Sequence, residues 1–227
     1  MTERRSPRGA LTILAKAPGP GAKTRIAATI GAAAAEQLAN AFLRDTLAMA
    51  LSGPWQTHIA FSPFSARRRF EELAPATPLT HQPAGDLGLR ILHAMSCAAR
   101  AVEPVVLIGT DTPDLPCELI EEAFSGLAHA DIVLGPAHDG GFYLIGAARP
   151  LPAAIFANLA WSTDTVFART SANARALGLS LVSLQPWGDV DDGPSLTHLQ
   201  IRLAKGGYAP ATRAALAAIE PPTTIAT

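Results

Sequence analysis

The feature that most constrains this chain is a set of short apolar runs, at residues 11–15, 55–61, 105–108 and 131–134, each followed by a Gly-, Pro- or Asp-bearing segment. Runs of this length bounded by turn signals read as buried strands. Shorter strand candidates lie at 78–82, 141–145 and 180–184. Between them stand segments with helical spacing. The longest, 31–51, is Ala-rich with Leu38, Phe42, Leu43, Leu47 and Ala50 in register, and it ends near Gly53-Pro54. Further helices are expected over 65–73, 87–102, 117–127, 163–177 and 195–204, with Pro116 suited to the first turn of the fourth. Strands alternating with helices predict an α/β fold, a mostly parallel sheet flanked by helices on both faces. No internal repeat or linker divides the chain. One domain is expected over 10–219, with 1–9 a flexible N-terminus and 220–227 a frayed tail.

Composition narrows the class. The 227 residues are 48% hydrophobic and 16% charged, which argues against disorder. A net charge of −1 argues against a nucleic-acid partner, which needs a basic surface. No apolar run approaches the roughly 18 residues of a membrane helix, so no membrane partner is expected. Cys97 and Cys117 make no disulfide framework, and the basic segment 2–8 leads into no signal-like apolar stretch. The expectation is a reduced, cytoplasmic protein.

In an open parallel sheet, ligands bind beyond the carboxyl ends of the strands, and four unusual loops fall at such ends. The first runs from Lys16 through Pro18, Gly19, Pro20 and Gly21 to Lys23, Thr24 and Arg25. Glycines admit close backbone approach, and Lys and Arg neutralise phosphate. The chain uses 15 Arg and three Lys, and two of the three Lys are Lys16 and Lys23. A solvated turn is the bland alternative. The loop departs from the P-loop pattern, with Ala17 and Ala22 at two glycine positions and prolines removing N–H donors from the cradle.

The second loop holds Gly109-Thr110-Asp111-Thr112-Pro113-Asp114. Asp111 at a strand's carboxyl end is placed to hold Mg²⁺; Asp114 suits a helix-capping role better. The third, Gly135 to Gly141 with Asp139 and Gly140, also reads as a plain hairpin turn. The fourth is Trp187-Gly188-Asp189-Val190-Asp191-Asp192. If extended, it sets Asp189 and Asp191 on one side, where they repel unless a cation lies between them. Asp192 suits a cap for the helix from Ser195.

The set Ala15-Lys16-Ala17-Pro18, Lys23-Thr24-Arg25, Gly109-Thr110-Asp111-Thr112-Pro113, Asp139-Gly140-Gly141, Trp161-Ser162-Thr163 and Asp189-Val190-Asp191 resembles a bacterial family. These are the GT-A-fold transferases known as rSAM/selenodomain-associated or arsenosugar-biosynthesis glycosyltransferases. They are similar in turn to phospholactate and molybdenum-cofactor guanylyltransferases. The resemblance runs from about Leu11 to Lys205. It implies a nucleotide-diphospho-sugar transferase fold and a nucleotide partner, with Lys16, Pro18, Gly19, Gly21, Lys23 and Arg25 at the phosphates. It also implies Asp111, Asp189 and Asp191 at Mg²⁺ or Mn²⁺. Arg90, in the element Gly85-Asp86-Leu87-Gly88-Leu89-Arg90, is expected near the nucleotide. Asp139, Gly140, Gly141, Trp161, Ser162 and Thr163 are expected around a small-molecule acceptor. Ala17-Pro18 stands where the molybdenum-cofactor enzyme has a Gly-Gly pair, so no base-recognition residue carries over.

Lys23, Arg25 and Asp111 are the expected catalytic groups. The favoured reaction is nucleotidyl transfer from an NTP to a small phosphorylated acceptor, with pyrophosphate leaving. Glycosyl transfer from an NDP-sugar is the alternative, with Asp139 or Asp164 as acceptor base. A nucleotide-binding module without turnover is the third.

Overall fold

The protein is described here from a computed structural model covering residues 7–219. Most of the expected flexible N-terminus and all of the expected frayed tail lie outside the described residues.

Seven strands form one sheet: β1 (Ala10–Lys16), β2 (Gln56–Ser62), β3 (Leu79–His81), β4 (Val105–Ile108), β5 (Ile132–Pro136), β6 (Phe142–Ala147) and β7 (Leu181–Ser183). Their order is β3-β2-β1-β4-β6-β5-β7. All neighbouring pairs are parallel except those of β6, which runs antiparallel to β4 and β5. The mostly parallel α/β sheet is thus observed, with a β5–β6 hairpin inserted.

The helices are α1 (Thr24–Ile30), α2 (Ala32–Ser52), α3 (Arg67–Leu73), α4 (Leu87–Ala99), α5 (Cys117–Gly126), α6 (Val166–Ala176), α7 (Gly193–Ala204) and α8 (Pro210–Ala218). On one face Leu11, Ile13, Phe61 and Ile108 pack with Leu43 and Leu47 of α2, Phe70 of α3 and Phe124 of α5. On the other, Leu107, Ile145 and Ile132 pack with Ile91 and Met95 of α4 and Ala174 of α6. Strands buried on both faces explain why the sequence shows runs rather than alternation. A third cluster joins Ile26, Leu38 and Phe42 to Leu196, Leu199 and the fully buried Val190.

Two helices were not among those expected from the sequence. The short α1 follows Lys23, its N-cap residue, which is in the left-handed region at φ 52° and provides no side-chain cap. The N-terminus of α8 is capped from a distance: both carboxylate oxygens of Asp45, on α2, accept from Ala211 and Thr212 N–H at 2.9 and 2.7 Å. Helix α6 starts at Val166 rather than Thr163, so Asp164 lies ahead of it. Pro116 precedes α5 as its N-cap residue instead of sitting in its first turn.

The connection after β1 leads to β2 on one side, whereas β4 pairs β1 on the other. The strand order therefore reverses between β1 and β4. Such a switch point opens a crevice at the carboxyl ends of the two strands.

Candidate active site

A cleft of ≈ 750 Å³ lies at that switch point. Its first wall is the loop after β1, carrying Lys16, Pro18, Gly19, Gly21, Lys23 and Arg25. The loop is held from behind by a residue that the sequence reading missed. Arg69 of α3 donates through Nη1 to the Pro18 carbonyl at 2.9 Å, and through Nη2 to Asn40 Oδ1. Gln82, buried just past β3, donates to the carbonyls of Ala15 and Ala60 at 3.0 and 2.7 Å. That fastens the carboxyl ends of β1 and β2 together beneath the loop.

The floor holds Asp111, at the end of β4, with Asp189 and Asp191 beside it. Val190 fixes the last two. Its side chain is fully buried and its N–H donates to the Asp111 carbonyl at 2.9 Å, so the flanking aspartates face the cleft. Asp192 then caps α7, accepting from Ser195 N–H at 2.9 Å in a reciprocal capping box. These backbone and hydroxyl donors of Ser195 hold the Asp192 carboxyl below its ordinary range. The capping role expected of Asp192 is observed.

Asp111 and Asp191 share a cation, and that cation is Lys23. Its ammonium lies 2.6 Å from Asp111 Oδ1 and donates to Asp191 Oδ1 and the Val190 carbonyl, each at 2.7 Å. Arg25 reaches the other oxygen, Asp191 Oδ2, at 3.3 Å. The Lys23 ammonium also stands 5.7 Å from the Phe42 ring centroid. Burial works against the charge on Lys23, but the Asp111 and then Asp191 carboxylates outweigh it and raise its pKa above the ordinary lysine value.

Of the three aspartates expected at a metal, Asp111 and Asp191 meet at the Lys23 ammonium. Among the described residues no three His, Cys, Asp or Glu side chains converge as a metal-holding group. Asp189 lines the same cleft without touching Lys23. Burial, and next the negative charges of Asp139 and Asp191, push its pKa up to about 6.

The opposite wall comes from the β5–β6 hairpin and the segment before α6: Asp139, Gly141, Phe142, Trp161, Ser162 and Thr163. The hairpin turn and the site are one feature, since Asp139 Oδ1 accepts from Gly141 N–H at 2.8 Å while lining the cleft. Gly140 turns away at φ 87°, packed against the Asp164 backbone. Arg90 also lies outside the lining. Its helix presents Leu87 and Ile91 to the cleft, and its Nε is buried without a hydrogen-bond partner. Asp114 does not cap α5: it is buried and ion-paired with Arg202. Residues beyond the sequence reading complete an apolar side, including Leu14, Leu107 and Tyr143. They are strand residues, indistinguishable in sequence from core.

No helix among the described residues is long and apolar enough to cross a membrane. No curated protein matches the chain. A structure of a provisionally assigned nucleotide-diphospho-sugar transferase from Desulfovibrio desulfuricans is 32% identical, with TM-score 0.86 over 93% of this chain and 94% of that one. Two more distant structures share the fold alone. One is 4-diphosphocytidyl-2C-methyl-D-erythritol synthase from Anaerococcus prevotii (9% identity, TM-score 0.55, 86% and 98% covered). The other is Rv0371C from Mycobacterium tuberculosis in complex with manganese (12%, 0.51, 84% and 97%). Residues 46–163 match the family described as "Uncharacterized protein conserved in bacteria (DUF2064)", and the chain belongs to that family.

Proposed function

We propose that the protein is a divalent-cation-dependent transferase acting at the phosphates of a nucleotide. Its reaction is nucleotidyl transfer from an NTP to a small phosphorylated acceptor, with release of pyrophosphate. The observation that carries this reading is the meeting, at the switch point of the sheet, of a Lys/Arg-bearing loop with two carboxylates that share a cation. The fold relative crystallised with manganese gives the reading outside support. Asp111 and Asp191 supply hard oxygen donors of the kind Mg²⁺ and Mn²⁺ take, together with substrate phosphates. The Lys23 ammonium between them is consistent with room for a cation. A divalent ion held by Asp111 and Asp191 would supply positive charge to the phosphates and to the leaving group.

The chain's own residues do the rest by position and charge. Lys16 and Arg25 orient the β- and γ-phosphates along the first wall. Trp161, Ser162 and Thr163 hold the acceptor on the opposite wall. An acceptor phosphate oxygen attacks the α-phosphorus, and the bond to the bridging oxygen of pyrophosphate breaks. Lys23 and Arg25 meet the charge that builds on the departing pyrophosphate. No covalent nucleophile is required.

One observation favours a second reading, glycosyl transfer from an NDP-sugar. The cations among the described lining residues, Lys16, Lys23 and Arg25, all belong to the first wall. The other wall pairs an indole with the Asp139 carboxylate, which suits a sugar ring with hydroxyl donors better than a phosphate. The relative from Desulfovibrio desulfuricans points the same way. Incubation with Mg²⁺, each common NTP and a panel of phosphorylated acceptors tests the first reading by pyrophosphate release. NDP release from nucleotide sugars, with no pyrophosphate from any NTP, would establish the second instead.

A further inference from the structure

We propose that Lys23 makes divalent-metal binding conditional on phosphate: its ammonium holds the Asp111–Asp191 pair until a nucleotide's phosphates draw it away. The inference rests on the reading of that pair as the metal site.

An ammonium has three N–H donors and no acceptor. Lys23 has three oxygen partners within reach, Asp111 Oδ1, Asp191 Oδ1 and the Val190 carbonyl, at 2.6, 2.7 and 2.7 Å. Its side chain is 11% exposed. To meet a phosphate it must therefore release an oxygen it already holds. The oxygens it would release are those a metal would need. Mg²⁺ takes carboxylate oxygens at about 2.0–2.1 Å, and both carboxylates turn their Oδ1 atoms toward one ammonium nitrogen. A second cation between the same two oxygens would meet the full repulsion of that ammonium at short range.

The backbone at Lys23 is fixed. Lys23 sits at φ 52°, ψ 50°, directly ahead of α1, and the Ala27 N–H donates to its carbonyl at 2.8 Å. The floor is equally fixed, because Val190 is buried and hydrogen-bonded to the Asp111 carbonyl. The movable part is the lysine side chain, and a polyphosphate is the ligand whose charge can compensate its departure. Exchange conserves favourable pairs: the carboxylates trade ammonium for metal, and the ammonium trades carboxylate for phosphate. A divalent ion arriving alone offers Lys23 no such partner.

The test is equilibrium dialysis of Mn²⁺ against the folded 227-residue chain, as wild type, Lys23→Met, Lys23→Gln, Asp111→Asn and the double variant Lys23→Met/Asp111→Asn. Wild type should bind Mn²⁺ weakly alone and more tightly when ATP, GTP, CTP or UTP is added. Either single variant should bind Mn²⁺ alone roughly tenfold more tightly or better, because the competing charge is gone. The double variant should lose that gain. A lysine that merely supports the fold would give the opposite sign, and the Gln variant keeps the test open if the Met variant fails to fold. Should wild type bind Mn²⁺ tightly alone in an Asp111-dependent way, or the lysine variants bind no better, the conditional role fails while the metal site stands. If no form binds Mn²⁺, even with nucleotide, or the gain survives Asp111→Asn, the metal-site reading falls and this inference with it.

Discussion

Arg202 and Asp114, 88 positions apart, form a bidentate ion pair, Nε to Oδ2 at 2.6 Å and Nη2 to Oδ1 at 3.0 Å. The Asp114 side chain is 0% exposed. The same Nη2 donates to the Gly188 carbonyl at 3.1 Å, and the guanidinium lies 5.4 Å from the Trp187 ring centroid. Arg202 thus ties the loop that carries Asp111 to the loop that carries Asp189 and Asp191.

Removing one partner of this pair leaves a buried carboxylate uncompensated. Arg202→Met should cost about 3–5 kcal/mol of stability, measured by urea unfolding. The double variant Arg202→Met/Asp114→Leu should recover a large part of that loss. Equal costs for the single and double variants would mean that the damage comes from lost packing on Trp187 and not from the stranded charge.

Gly140 and Gly141 offer a contrast within one turn. Gly140 has φ 87°, and a Cβ there would lie 2.1 Å from the Asp164 carbonyl oxygen. Gly140→Ala should destabilise by about 1–3 kcal/mol or more, from strain and the backbone clash. At Gly141 a Cβ would meet the Asp139 carboxylate, nearest at Oδ1, 3.0 Å away. Gly141→Ala should stay within about 1 kcal/mol, because a side chain can yield. Chemical denaturation of both variants checks the order; a reversed order would contradict the packing of the hairpin against the segment before α6.

His58 gives the fold a pH dependence. It is 6% exposed on β2, with Nε2 2.9 Å from Thr80 Oγ1 and Nδ1 unpartnered. Burial, and secondarily the nearby His93, lower its pKa from 6.5 to about 4. The folded state therefore resists protonation that the unfolded chain accepts. The His58 contribution is absent above pH 6.5 and lowers stability by about 3 kcal/mol as pH drops from 6.5 toward 4; Asp189, whose pKa is pushed up to about 6, works in the opposite direction as it protonates in the same window. His58→Gln should gain stability relative to wild type as pH falls from 6.5 toward 4, measured as the difference in denaturant midpoints at a series of pH values. A difference that does not change with pH would mean that His58 contributes nothing to the pH dependence.

The central strands were readable because they are apolar on both faces, as Ile13 and Ile108 on one and Leu107 and Ile132 on the other illustrate. The four loops were readable because unusual residues follow such strands directly. What the sequence hides is partnership across distance. Asp114 looks like a helix cap until Arg202 is brought beside it, and Asp45 has no reason to cap anything until α8 returns to α2. Lys23 reads as a free cation for phosphate, yet its carboxylate partner Asp191 lies 168 positions away. Arg90 was expected near the nucleotide, but its direction depends on how α4 packs, and Leu87 and Ile91 take the cleft-facing positions.

The central claim is that Asp111 joins a metal to a nucleotide in the switch-point cleft. Thermal unfolding of wild type and Asp111→Asn, with each NTP and NDP-sugar and with or without Mg²⁺, tests it most directly. At least one nucleotide, at roughly 100 times its Kd, should stabilise wild type by about 2.7 kcal/mol when Mg²⁺ is present. Asp111→Asn should unfold at a similar temperature without ligand and lose that shift, since the amide keeps the shape and not the charge. An equal Mg²⁺-dependent shift in the variant, or no shift of wild type with any nucleotide, would contradict the account.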